Sequence, residues 1–373
     1  VGLFLGFSFM SKGPVSLFAL FLPFLIAYGF VYRFKNFKSK WLSLVSSLLI
    51  FALVGFTWGI YIYFTDTSSA ATIADKETLA WSNRSVKPFY HYWSFFTQSG
   101  IWTFFAFIAL LYPFMIKRVN DKKQYLFSLL WTLSAVFLLS LIPEKKERYL
   151  LPVLIPMALN TSFFINYLID KTVSLKKADI YLANFGFGLI GLIGLAFPFG
   201  LYFYFDGSFS GHWVSYFLSS ASLFSLGALM FLWLRKKYYE RCFYGIILFT
   251  CSIMLFAFPM ASLLYDNDQF LSLQTLRKME GMQSLPLYST DPSLPSPELI
   301  FDLGEPVKRV KTVKELPQNG SFGLLVNDSI PMMVQRDFKT EFKALFDINN
   351  LKEGRSGHKQ RKTLMFYLLE KKQ

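Results

Sequence analysis

Three short segments carry residue types suited to holding an anion. The first, Ser11-Lys12-Gly13-Pro14, breaks an otherwise apolar run from Val1 to Tyr32. A lysine in such a run is costly; it has a partner or a function, or it snorkels to the headgroups. The second closes the longest polar loop: Asn83-Arg84-Ser85-Val86-Lys87-Pro88-Phe89-Tyr90-His91-Tyr92-Trp93. Its aromatics suit an interfacial belt. With Arg84 and Lys87 beside them, they also suit holding a phosphate and stacking a sugar. The third is Pro143-Glu144-Lys145-Lys146-Glu147-Arg148-Tyr149-Leu150-Leu151-Pro152. Here Lys145, Lys146 and Arg148 crowd into one short loop with Glu144 and Glu147. Either the two acids neutralise the cations, or the cations hold an anion such as a lipid phosphate. Arg would grip it through paired donors and Lys as a point charge. The hydroxyls of Tyr90, Tyr92 and Tyr149 suit hydrogen bonding to phosphate or sugar.

The elements that must position these segments are membrane helices. Of the 373 residues, 53% are hydrophobic and 17% charged, less charge than soluble domains carry. The apolar residues fall in long blocks, and a bilayer core demands about 20 of them per helix. Blocks at 13–32, 41–64, 95–116, 124–142, 149–169, 180–205, 213–234 and 242–265 predict eight full spans. Residues 1–11 form a further apolar piece, too short to span. It has neither an initiator Met nor the marks of a signal peptide, so the chain is expected to begin inside a helix, with sequence missing upstream.

Orientation follows from the loops, because Lys and Arg concentrate on the cytoplasmic side. Loops 33–40, 117–123, 170–177 and 235–241 hold 15 basic residues, against 7 for the alternate set that contains Lys12, Arg84, Lys87 and 145–148. All three anion-suited segments are thereby expected on the external face. The tail 266–373 is expected there too, as a small α/β domain, the membrane domain being 1–265. Strand-like runs lie at 285–289, 298–303, 322–326, 342–347 and 364–369, and helical patterns at 269–280 and 331–338.

Several function classes fall away. The net charge of +14 comes mainly from the inner-face loops, so it is no nucleic-acid signature. Cys242 and Cys251 sit inside the last span and read as small apolar residues. His91, His212 and His358 are scattered, so no metal site is expected. Gly186, Gly188 and Gly191 match G-x-G-x-x-G but lie in a span without a preceding strand; helix packing explains them better, as it does Gly2 and Gly6. Asn83-Arg84-Ser85 matches a glycosylation acceptor, a tripeptide common by chance.

The order Ser11-Lys12-Gly13-Pro14, Pro88-Phe89-Tyr90-His91-Tyr92 and Lys146-Glu147-Arg148-Tyr149-Leu150-Leu151-Pro152 resembles the GT-C membrane glycosyltransferases. Within them it is similar to the aminoarabinose-transferase and protein-mannosyltransferase (dolichyl-phosphate-mannose–protein mannosyltransferase-like) superfamily. The resemblance covers roughly 1–170. It implies an α-helical polytopic protein of the bacterial inner membrane with an external C-terminal domain. Its activity would be transfer of a sugar from a polyprenyl-phosphate carrier to a lipid, glycan or protein acceptor of the envelope. The donor is already lipid-linked, so no cofactor is implied. Lys12, Arg84, Lys87, Tyr90, Tyr92, Lys145, Lys146, Arg148 and Tyr149 are the substrate-binding candidates. The acidic catalytic base is implied in a first external loop upstream of Val1, so this chain alone is expected to be inactive. The chain departs from the family at Ser85, Val86 and Lys87, where a His is common. The rival readings are a flippase for a lipid-linked sugar, which should show mid-membrane charges and repeated broken helices, and a noncatalytic scaffold.

Overall fold

A computed structural model describes residues 1–13, 17–35, 38–65, 67, 71, 86–291, 296–310, 312–327 and 329–372. The side chains of Lys12, Lys38, Pro297 and Arg361 lie outside this description, as do Pro14, Arg84 and the tripeptide 83–85. The chain forms two compact units. One comprises 1–207 with 217–253, the other 208–216 with 254–373.

Among the described residues, seven helical stretches are long and apolar enough to cross a membrane: Trp41–Thr65, Phe89–Leu110, Lys122–Leu141, Glu147–Asp170, Lys177–Tyr204, Trp213–Arg235 and Tyr239–Leu264. Six of them match expected spans to within three residues, and Phe89–Leu110 lies six residues ahead of the expected 95–116. The eighth, 13–32, is described only as a shorter helical stretch, Leu17–Tyr32. The helix Gly2–Lys12 ends where Gly13 takes a positive φ of 61°, and the chain resumes as a π-helical turn, Leu17–Phe21, before the helix Leu22–Tyr32. A glycine adopts that φ without steric cost, which makes it a natural helix stop.

Helix ends follow local chemistry. Asp121 caps Lys122–Leu141, its side chain accepting from the Lys123 and Gln124 amides. Pro143 disfavours a helical Ile142, which is extended, so that helix stops at Leu141. Small residues set the helix crossings. A methyl added at Gly194 would lie 2.6 Å from the Leu223 carbonyl oxygen, and one at Gly227 2.6 Å from that of Gly191. Gly2 and Gly6 sit equally close to Ser47 and Val54. Of the G-x-G-x-x-G glycines, Gly186 abuts Phe104 and Phe105 and Gly191 abuts Phe231, while Gly188 meets nothing closer than 3.9 Å. The aromatic core around them includes Phe105, Phe164, Phe187, Tyr239 and Phe249. Cys242 is buried there, whereas Cys251 lies on its helix surface.

The second unit holds a five-stranded sheet. Its strands are β1 (Leu287–Ser289), β2 (Lys308–Arg309), β3 (Phe322–Val326), β4 (Phe338–Asp347) and β5 (Thr363–Lys371). The order is β2-β1-β3-β5-β4, parallel at β2-β1-β3 and antiparallel at β3-β5-β4. The expected strand 298–303 is instead a helix, Pro297–Leu303. The Ser296 side chain caps it, Pro297 opens it, and Gly304 ends it at φ 81°; these end signals outweigh the β-tendency of Leu-Ile-Phe. The expected helix 269–280 forms only as a 3-10 segment, Leu273–Lys278.

Candidate functional site

The third segment folds into a short connection between two spans. Beyond Pro143 the chain runs extended to Lys146, then enters a 3-10 helix, Glu147–Val153, that leads into the helix Leu154–Asp170. The second segment docks beside it. Val86 bridges Glu144 in antiparallel fashion, and the Lys87 amide donates to the Pro143 carbonyl at 3.4 Å. Tyr92 is wholly buried, at 0% exposure, among Phe95, Leu139, Ile142 and Tyr149. Its hydroxyl accepts from the Lys146 amide at 2.8 Å and donates to the Lys146 carbonyl at 3.0 Å. One side chain thus clamps both backbone groups of a loop residue that has no ladder to join.

The acids and cations divide their work. Glu144 is buried; the Tyr149 hydroxyl donates to one of its oxygens at 3.1 Å, and the Lys146 ammonium lies 2.5 Å from the other. That ammonium also stands 5.8 Å from the centroid of the Tyr149 ring, within cation–π range. Lys145 is buried and donates from Nζ to the Ile142 carbonyl at 2.7 Å. Burial pushes its ammonium below the ordinary lysine range. Glu147 is exposed, yet held at both oxygens: His91 Nε2 is 2.9 Å from one, and Gln98 donates to the other at 3.3 Å. Arg148 is exposed and makes no hydrogen bond or ion pair with its side chain among the described residues.

The candidates are therefore brought together with different tasks. Tyr92, Tyr149 and Lys145 are buried and shape the loop, while Lys146 is offset by Glu144. Arg148, Lys87 and Tyr90 are exposed and open to a ligand. Lys12 ends the helix Gly2–Lys12, its side chain outside the described residues, and Arg84 lies outside them altogether. Sequence reasoning missed Gln98 and the use of His91. A glutamine in Phe-Phe-Thr-Gln-Ser-Gly shows no pattern, and pairing His91 with Glu147 needs two spans to meet.

Gln98 also lines an apolar cavity of about 440 Å³ with Ser99, Trp102, Leu154, Ile165 and Phe243. From Leu154 to Ile169 this wall follows one helix, a rise of roughly 22 Å at 1.5 Å per residue. The lining residues thus extend along most of the helix Leu154–Asp170. A further buried ion pair is seen among the described residues of the first unit. The Arg118 guanidinium bonds Asp179 at 2.8 Å, with Asp179 at 0% exposure, and the Tyr167 hydroxyl donates to the same carboxylate at 2.7 Å. From the sequence Arg118 reads as an inner-loop cation; in the fold it pins two helix ends together.

No family model matches the chain, and no curated protein matches it by sequence. Among solved structures, it is similar to the crystal structure of ArnT from Cupriavidus metallidurans bound to undecaprenyl phosphate. The TM-score is 0.54 at 12% identity, over 98% of this chain and 68% of that one. The fold is ArnT-like. At such an identity the likeness speaks for the fold and not for any residue's role.

Proposed function

We propose that the protein is a glycosyltransferase that moves a sugar from a polyprenyl-phosphate carrier to an envelope acceptor on the external face of the bacterial inner membrane. The observation that carries this reading is the shared rim. The basic connection 143–149 and the long apolar cavity meet at Gln98, which bonds Glu147 and lines the cavity. A polyprenyl phosphate is an anion on a long apolar chain, and it needs that juxtaposition. The ArnT fold and the undecaprenyl phosphate bound in that relative support the same donor. The basic inner loops support an external position for the site.

Arg148 and Lys87 hold the phosphate, with Lys12 and Arg84 as further cations of the same expected face. Tyr90 offers a hydroxyl and a ring. During transfer the bond between the anomeric carbon and the phosphate oxygen breaks, its electron pair going to the phosphate. The acceptor oxygen or nitrogen forms the new bond, and its proton passes to an acidic general base. The cations stabilise charge growing on the leaving phosphate. The test is undecaprenyl phosphate binding and sugar transfer by the full-length protein carrying Arg148→Ala, alone and with Lys87→Ala. Loss of a charge-assisted phosphate contact is expected to weaken binding about tenfold for the single variant. Unchanged binding and transfer in the double variant would sink the proposal.

A further inference from the structure

Glu147 presents a puzzle of energetics. Its side chain is 63% exposed, yet it is fixed by groups from two other segments, His91 of the 3-10 turn Phe89–Tyr92 and Gln98 of the 3-10 helix Phe95–Trp102. An exposed ion pair contributes about 0–1 kcal/mol. Ordering a glutamate costs up to about 2 kcal/mol of side-chain entropy. The clamp therefore contributes little to stability, and what it does provide is a carboxylate aimed and held before any ligand arrives. Such preorganisation favours binding.

The surroundings indicate the ligand's chemistry. A carboxylate has about four acceptor sites; His91 and Gln98 take one on each oxygen, leaving the others for further donors. Gln98 gives its amide N–H to Glu147 and also lines the apolar cavity. Tyr90 within the turn that supplies His91 and Trp93 just after it are 64% and 60% exposed, and aromatic faces of this kind stack on the apolar face of a sugar ring. Arg148, which follows Glu147, is exposed, and its side chain has no ion pair among the described residues. Acceptors for hydroxyls, exposed aromatic faces and an exposed cation thus lie on segments joined through Glu147, and Gln98 links that carboxylate to the apolar cavity.

We infer that Glu147, oriented by His91 and Gln98, binds the hydroxyls of the donor's glycosyl group while the neighbouring cation holds its phosphate. The inference rests on the polyprenyl-phosphate reading and adds the sugar subsite to it. Glu147 touches the sugar; His91 and Gln98 act through it as positioning residues.

The experiment compares undecaprenyl phosphate with its mono-hexosyl and mono-pentosyl derivatives, using the full-length protein, wild type and Glu147→Gln. The expected result is a loss of about tenfold in affinity for whichever glycosylated lipid the wild type binds, with the bare lipid phosphate changed less than twofold. His91→Gln, which removes the partner of Glu147 but keeps the carboxylate, is expected to show the same selectivity at smaller size. In turnover, Glu147→Gln should raise KM for the donor and leave KM for the acceptor alone. Equal losses for bare and glycosylated lipid would overturn the inference by making Glu147 a support of the loop. No loss for either lipid, or a rise in acceptor KM only, would overturn it as well. A wild type that binds none of the three lipids would instead overturn the underlying reading, an outcome separate from those of the variants.

Discussion

Tyr92→Phe isolates what holds the basic connection in place. The substitution keeps the ring among Phe95, Leu139, Ile142 and Tyr149 and removes only the hydroxyl that spans the Lys146 amide and carbonyl. Each of those hydrogen bonds contributes about 0.5–1.5 kcal/mol net, so losing both costs roughly 1–3 kcal/mol. Lys146 is only partly buried and its carbonyl still accepts from the Tyr149 amide at 2.9 Å, which pulls the cost toward the lower end. As a local opening equilibrium this is roughly a five- to hundredfold shift. Amide hydrogen exchange over 144–149 reads it directly, with the Lys146 amide expected to accelerate by that factor while amides of the helix Lys177–Tyr204 keep their rates. Undecaprenyl phosphate binding should weaken in parallel, since the cations ride on this loop. If the Lys146 amide exchanges at the wild-type rate, the clamp is not what holds the loop. The Val86 bridge and the Glu144 network would then hold it unaided.

Two further predictions concern the scaffold. Gly227→Ala puts a methyl 2.6 Å from the Gly191 carbonyl oxygen, a backbone atom that cannot turn aside, whereas Gly188→Ala meets nothing nearer than 3.9 Å; the first should destabilise by about 1–3 kcal/mol and the second should be close to neutral, as thermal unfolding in detergent would report. In the second unit, burial works to raise the Asp347 carboxyl, but hydrogen bonds from Asn349, Asn267 and His358 outweigh it and hold the group below the ordinary aspartate range. A folded value below the unfolded one means stability that is present above the unfolded value and lost as pH falls through the folded one. Acid titration by hydrogen exchange over 347–362 should therefore show loosening below about pH 4, and Asp347→Asn should already be loosened at neutral pH and lose that acid limb; a variant with the wild-type acid limb would exclude Asp347 as its source.

Span positions were legible because the constraint that writes them is one-dimensional: a length of apolar chain against a bilayer thickness. Trp41–Thr65 and Trp213–Arg235 fall almost residue for residue on the expected blocks. The break at Gly13 was also legible, and the block after it is described only as the shorter helical stretch Leu17–Tyr32. The expectation for 298–303 failed. Its strand-like interior was read and its ends were not, although Ser296, Pro297 and Gly304 together mark a helix. The two-residue strand β2 gives no periodic signal to read.

Sequence alone pointed to a polytopic membrane protein with one set of alternate loops strongly basic, and singled out Lys145, Lys146 and Arg148 in the other set. Both depend on composition and order along the chain, which folding does not alter. Only the tertiary structure decided which of those charges remain available. Adjacent residues met opposite fates: Lys145 was buried on a carbonyl, Lys146 was taken up by Glu144, and Arg148 was left open. Hydrogen bonds and ion pairs act over about 3 Å between groups whose separation in sequence has no bearing on their distance. Tyr92 and Lys146 are 54 residues apart along the chain and 2.8 Å apart in space.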